Sequence, residues 1–273
     1  MSVFNFRMRK RVRVTKLFLG AGIFGLLLLG AQKGNCIKVM PGIIGDIREI
    51  EFSQIQYDVE GEPYYGYLKG SLPILISAPH GAKHFRKSES RWRGEDAYTS
   101  SLAIVLGRLT GAHVLYVKNK TSEDPNNDPD SRYKRFLKRV VEETPIKFVL
   151  DLHGMKGGRP SKIDIGIMSN EPVLCSCPTY REIVEKTFKD FEPTVFNQPF
   201  SAHGESTITN FARSELGIEA AQVEINARYR IVESKATGSK ADPDNVLDLV
   251  MRLKKLILSI NQKITETIAP LKP

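Results

Sequence analysis

Histidine is scarce in this chain, and two of the five, His80 and His153, stand in matching contexts. The run Pro73–Ser77 (PILIS) leads into Pro79-His80-Gly81, and Lys147–Leu152 (KFVLDL) ends at His153-Gly154. Short apolar runs of this kind predict buried strands. A histidine just past such a strand sits where layered α/β sheets bind ligands. The glycine beside it lets backbone and ligand come close. Two histidines so placed begin a metal site, because a catalytic zinc takes three protein ligands and keeps one position open. Glu95 and Asp96 are candidates for the third ligand. They stand at the start of a helix expected over Glu95–Leu109, where carboxylates would also complement the helix dipole. His84, four residues beyond His80, competes for the same place, although Gly81 favours a loop over a helical turn.

The segment Ala221–Arg230 (AQVEINARYR) carries a second signal. Read as a strand, it puts Gln222, Glu224, Asn226 and Arg228 on one face. A carboxylate in so apolar a run needs a partner or a task. Glu224 is the candidate general base, able to take a proton from water and pass it to a leaving amine; an ion pair with Arg228 or Arg230 is the structural alternative. Asp151 lies two residues before His153 and so can share its face and orient its ring. Arg132, Arg159 and Arg228 are candidates to stabilise an oxyanion or hold a substrate carboxylate, since a guanidinium presents a planar fork.

These residues need elements to position them. Strands are expected at Ile43–Phe52, Tyr64–Leu68, Pro73–Ser77, Val114–Val117, Lys147–Leu152, Ile163–Met168 and Ile218–Ile225. The first two are read as a hairpin around Gly61-Glu62-Pro63. Helices are expected at Glu95–Leu109, ended by Gly111, and at Ser131–Glu143, Pro178–Phe188, Thr207–Leu216 and Asp244–Ile264. Residues 118–130 (KNKTSEDPNNDPD) and 197–205 (NQPFSAHGE) read as polar loops. Strands alternating with helices predict a layered α/β sheet. The 273 residues suffice for one such domain, expected over residues 36–273.

Net charge does not point to nucleic acid. The total is +9, but residues 1–34 hold Arg7, Arg9, Lys10, Arg11, Arg13, Lys16 and Lys33 and no acid, which leaves 9 − 7 = +2 for the rest. Within residues 1–35 a basic stretch, the apolar run Leu17–Ala31 and a polar exit follow one another, the layout of a signal peptide or an N-terminal membrane anchor. An extracytoplasmic protein, secreted or anchored there, is therefore expected, touching membrane only through that segment. The three cysteines, Cys36, Cys175 and Cys177, do not make a disulfide framework. No G-x-S-x-G occurs, which argues against a serine hydrolase.

Taken in order, Ser77-Ala78-Pro79-His80-Gly81, Glu95-Asp96, the loop Asn126–Arg132, Asp151-Leu152-His153-Gly154 and Gln222-Val223-Glu224-Ile225-Asn226 resemble the N-formylglutamate amidohydrolase family. The resemblance spans about Ile74 to Arg230. It implies a three-layer α/β/α fold with a central mixed sheet, of the phosphorylase/hydrolase-like, zinc carboxypeptidase-like kind. It implies a zinc ion held by His80, an acid at 95–96 (Glu95 preferred) and His153, with Glu224 as base. It implies a hydrolase acting on a C–N bond of a small amide or peptide-like substrate. In that family an adjacent Asn-Arg pair binds the substrate carboxylate; here Asn127 and Arg132 are separated by Asp128-Pro129-Asp130-Ser131. Lys83 stands where a zinc carboxypeptidase has the acid of its His-x-x-Glu motif. His203, in a loop matching the family's substrate loop, is expected to contact substrate. A non-catalytic exported binding protein on the same scaffold is the alternative.

Overall fold

The computed structural model describes residues 33–168, 178–236, 238 and 240–268. The leader up to Gln32, Cys175 and Cys177 lie outside the described residues.

The chain enters through helix α1 (Lys33–Gln54) and continues as β1 (Gln56–Glu60), β2 (Tyr65–Leu68), β3 (Ile74–Ala78), the small hairpin β4 (His84–Arg86) and β5 (Arg91–Arg93), α2 (Thr99–Thr110), β6 (His113–Val117) and β7 (Asn119–Lys120). There follow α3 (Arg132–Glu143), β8 (Phe148–Met155), β9 (Ile163–Gly166), α4 (Pro178–Phe188), β10 (Thr194–Phe196), the short α5 (Ile208–Asn210), β11 (Glu219–Asn226), α6 (Ala227–Arg230) and α7 (Pro243–Ile268). Seven strands form one mixed sheet in the order β10-β9-β11-β8-β3-β6-β2. β11, β8, β3 and β6 run parallel, while β2 is antiparallel to β6, and β9 to β11. Helices α1, α2, α4 and α7 pack together on one face. Helix α3 and the α5 segment cover the other, where Leu137, Val140 and Ile208 meet Leu75, Val149 and Ala220. This is the expected three-layer α/β/α architecture. Among the described residues no helix is long and apolar enough to cross a membrane.

Two expectations fail at the start of the chain. Residues 43–52 are helical, not a strand in a hairpin. Ile43, Ile47 and Ile50 are buried while their neighbours are largely exposed, so the spacing of four and three residues outweighs the β preference of isoleucine. Helix α2 begins at Thr99, not Glu95. Tyr98, immediately before it, is left-handed at φ 71°, and Asp96 accepts from the Thr99 backbone N–H and hydroxyl through its carbonyl oxygen. Residues 95 and 96 therefore belong to the loop entering the helix. Gly111 ends α2 at φ 84°, as expected.

Candidate active site

Strand pleat decides what meets at the carboxyl end of the sheet. On β8, Phe148, Leu150 and Leu152 join the core under α2 and α7, while Val149, Asp151 and His153 face the opposite side. On β11, Ala221, Val223 and Ile225 join the same core, while Gln222 and Glu224 alternate with them. The register pairs Gln222 with Asp151 and Glu224 with His153. Toward the strand ends this second face thus turns from apolar to ionisable. His80 follows β3, the neighbour of β8.

The two imidazoles stand with ring centroids 4.8 Å apart, nearly perpendicular. Both Nδ1 atoms lie 3.4 Å from the same Oδ2 of Asp96. Their far nitrogens are each held by another carboxylate: His80 Nε2 by Asp124 at 2.9 Å, His153 Nε2 by Asp151 at 3.1 Å. Each ring is thereby fixed in orientation with Nδ1 facing inward. Asp96, not Glu95, occupies the space between the rings; Glu95 borders the cleft. The loop carrying Asp96 explains the choice, since the Asp96 N–H donates to the His80 carbonyl at 2.7 Å and turns the side chain toward the histidines.

The charges suit a cation. Burial disfavours the charged forms of His80 and His153, yet the carboxylates around them outweigh it and raise both pKa values. Burial likewise pushes Asp96 up, but the two imidazoles hold it well below the usual carboxylate range. Asp96, Asp124, Asp151 and Glu224 thus surround two imidazoles, and one mixed nitrogen–oxygen set, His80, Asp96 and His153, has its donor atoms within 4.8 Å of one another. That set fits zinc. A second grouping, His80, His84 and Asp124, fits a metal poorly. Asp124 Oδ1 already accepts from His80 and from the backbone N–H groups of Asn126 and Asn127, and Oδ2 accepts from Arg86 at 2.7 Å. His84 stacks on His80 at 4.1 Å, and burial pulls its pKa down to about 3.

Glu224 borders the same cleft, and burial raises its pKa to about 7. Gln222 donates to its Oε1 at 3.0 Å. Beneath it lies Arg230, almost wholly buried. Its guanidinium donates to the carbonyls of Ala97 at 2.6 Å, Ile225 at 3.0 Å and Met155 at 3.4 Å. Each acceptor is one or two residues beyond Asp96, Glu224 or His153, so one side chain ties together the three segments that carry them. From α1, the buried Glu51 accepts the Tyr98 N–H at 2.8 Å and steadies the same loop.

The glycines after the histidines are required by packing. A Cβ on Gly81 would lie 1.9 Å from Ser100 Oγ and 2.3 Å from the Val117 carbonyl oxygen, and one on Gly154 would lie 2.4 Å from the Arg230 guanidinium. The neighbour each admits is the protein itself, rather than a ligand.

Other expected site residues divide. Asn127 and His203 border the cleft, as does Arg159. Arg132 does not: its guanidinium is engaged by Glu123 and by Glu62 at 2.8 Å, away from the histidines. Arg228 is exposed and also outside the cleft, because the chain turns into α6 at Ala227 and the strand face ends at Asn226. Asp124 and Arg86 escaped the sequence reading, and Arg230 entered it only as an ion-pair partner for Glu224, whereas the structure has it donating to three carbonyls. Asp124 is one of four acids in its loop, two of them buried, and Arg230 is the third of three consecutive arginine or tyrosine residues; what marks them is their partners, the imidazole of His80 for Asp124 and three backbone carbonyls for Arg230.

No family model matches this sequence, and no curated protein does either. Solved structures do. The structure of N-formylglutamate amidohydrolase from Ralstonia eutropha JMP134 superposes with a TM-score of 0.54 at 16% identity, over 75% of this chain and 99% of that one. The chain has an N-formylglutamate amidohydrolase-like fold. A bacteriophage poly-gamma-glutamate hydrolase matches at TM-score 0.43 and 15% identity, over 74% of this chain and 91% of that one. A metallo-carboxypeptidase from Burkholderia cenocepacia matches at 0.45 and 10%, over 83% and 69%. At those scores neither adds to the first. Within the amidohydrolase-like fold, the expected position of the site at the carboxyl ends of the parallel strands agrees with the geometry above.

Proposed function

We propose that this protein is a zinc-dependent hydrolase of amide bonds in an N-acyl amino acid or peptide-like substrate. The observation that carries the reading is the convergence of His80 Nδ1, His153 Nδ1 and Asp96 Oδ2, with the far ring nitrogens anchored by Asp124 and Asp151 and Glu224 paired in register with His153. His80, Asp96 and His153 would hold the metal. Zinc bound there supplies a Lewis acid for the amide carbonyl and acidifies water at neutral pH.

The protein's own groups do the rest. Glu224, with a pKa raised to about 7 by burial, is suited to accept the proton of the attacking water and return it to the departing nitrogen. Gln222 orients it through Oε1. Arg230 borders the cleft and holds Asp96, His153 and Glu224 at their mutual spacing. The basic and apolar N-terminal segment supports action outside the cytoplasm, after export or from a membrane anchor.

Metal content measured on wild type beside Asp96→Asn tests the reading. About one zinc per chain in wild type, lost or strongly reduced in the variant, together with release of amine from N-acyl amino acids or peptides, is the expected result. Wild type that takes up no zinc on addition overturns it and leaves a binding protein on this scaffold.

A further inference from the structure

We propose that the ammonium of Lys134 serves as a tethered structural cation, a positioning group that holds two loops bordering the cleft against each other and keeps Asp124 against His80. Lys134 lies in the first turn of α3, is 1% exposed and does not border the cleft. A buried cation at the start of a helix is unfavourable twice over, since burial strips its water and the helix dipole repels it there. Its partners explain why it is kept. Nζ donates to the backbone carbonyls of Asn126 at 2.9 Å and Asp128 at 2.8 Å, and also to that of Ser206; none of these acceptors is a carboxylate.

Three carbonyls are matched in full only by the ammonium form, which has three N–H donors where a neutral amine has two. Burial pulls the Lys134 pKa down to about 8, while Asp124 and Asp128 of the loop and Asp151 of β8 draw it back up. The charged form therefore prevails at neutral pH. Backbone carbonyls gathered in this way are also how proteins replace the hydration shell of a potassium ion. Here the cation arrives on a side chain instead.

The loop between β7 and α3 is polarised by this contact. Its N–H groups at Asn126 and Asn127 point to Asp124 Oδ1, at 3.1 and 3.0 Å, the oxygen that also meets His80 Nε2. Its carbonyls at Asn126 and Asp128 point to Lys134. Asp128 closes the loop, its N–H on the Asp124 carbonyl at 2.8 Å and its Oδ2 on the Asp124 N–H at 3.1 Å. One short run of peptide units thus serves an anion with its amides and a cation with its carbonyls. Removing the cation leaves the carbonyls without donors and frees the amides to leave Asp124. The contact with Ser206 crosses to the segment that leads into α5 and brings Phe200, His203 and Thr207 to the cleft. Asn126 makes a second bridge there, its Oδ1 accepting the Ile208 N–H at 2.8 Å. Lys134 therefore sets the spacing between the loop presenting Asn126 and Asn127 and the loop presenting His203, and it reaches His80 only through Asp124.

Hydrogen exchange read by mass spectrometry on metal-free protein, wild type beside Lys134→Ala and Lys134→Met, tests this independently of zinc. Amides of residues 121–131 and 199–210 should exchange at least about tenfold faster in both variants, while the strands of the sheet keep their protection. Ammonium or potassium chloride should restore protection in Lys134→Ala, where a small ion can enter the space left. Tetramethylammonium chloride at equal ionic strength should not. Lys134→Met, whose stem still fills that space, should respond to neither. Zinc affinity, measured by competition with a chelator, should weaken about tenfold or more in both variants and recover with ammonium in Lys134→Ala alone. Loops that exchange as in wild type overturn the proposal. So does loosening spread evenly over the chain, loosening that no small cation reverses in Lys134→Ala, or unchanged zinc affinity. If Lys134→Ala does not fold, Lys134→Gln decides: its amide has two N–H donors and must fall between wild type and Lys134→Met, and equality with Lys134→Met overturns the proposal. Wild type that takes up no zinc sinks the hydrolase reading, and the exchange result still decides this one.

Discussion

The two faces of β8 and β11 belong to the same strands yet obey different physical demands. Toward α2 and α7, Phe148, Leu150, Leu152, Val223 and Ile225 bury apolar surface continuously. Toward the cleft, Asp151, His153, Gln222 and Glu224 bury polar side chains, each held through at least one hydrogen bond, while Asp151 Oδ1 and Gln222 Oε1 stay buried without a hydrogen-bond partner, a cost that the apolar face does not bear. Adjacent residues on one strand are thus separated in function by a single pleat. Stability resides in one face and chemistry in the other, and the difference can be challenged by substitution.

The largest effect is expected at Glu224. Glu224→Gln should lower kcat by about 10²–10⁴-fold while zinc content, measured by atomic absorption, stays at the wild-type level. Retained turnover would remove the residue from the role of base. Neighbouring substitutions on β8 should then separate cleanly. Leu152→Ala is expected to cost roughly 2–5 kcal/mol in denaturant unfolding and leave the folded protein able to hold zinc. His153→Ala should abolish stoichiometric zinc. Equal zinc loss in both would mean that the faces are not independent.

A smaller effect concerns pH. The Glu224 carboxyl is raised to about 7 by burial, above its ordinary value of 4.5. In metal-free protein the folded state therefore binds this proton more tightly than the unfolded state. Its contribution to stability is full below pH 4.5 and fades as pH rises through about 7. Melting temperature relative to Glu224→Gln should accordingly fall over that window; a rise would contradict the burial described. The smallest effect is expected at Arg132. Arg132→Ala should leave kcat/KM unchanged and shift stability by no more than about 1 kcal/mol, since its contacts are with partly exposed Glu123 and Glu62. A large loss of activity would return it to the site.

The sequence disclosed the strand-end residues because their signal is local. His80, His153 and Glu224 each interrupt or end an apolar run, and alternation alone placed Asp151 beside His153. The layered fold followed from the same runs. Choosing between Glu95 and Asp96 needed the helix start, which the left-handed Tyr98 and the buried Glu51 set through contacts distant in sequence. Arg132 and Arg228 were attractive as residue types, but their placement depends on Glu123 and on the turn into α6. The clamping role of Arg230 became visible only through three carbonyls from three segments.

The place of β11 bears on how the molecule assembles. It enters late in the chain but lies inside the sheet, between β8 and β9. Until residue 226 is available, those two strands have an unfilled gap between them, and the pairing of both with β11 is missing. Glu224 and the Arg230 clamp arrive with that same segment. Folding should therefore be dominated by a late, non-local closure, of the kind that slows two-state domains, and a chain interrupted before β11 would expose unpaired strand edges, the condition that favours aggregation. The finished cluster of His80, Asp96, His153 and Glu224 is reached only when this last inner strand has been seated.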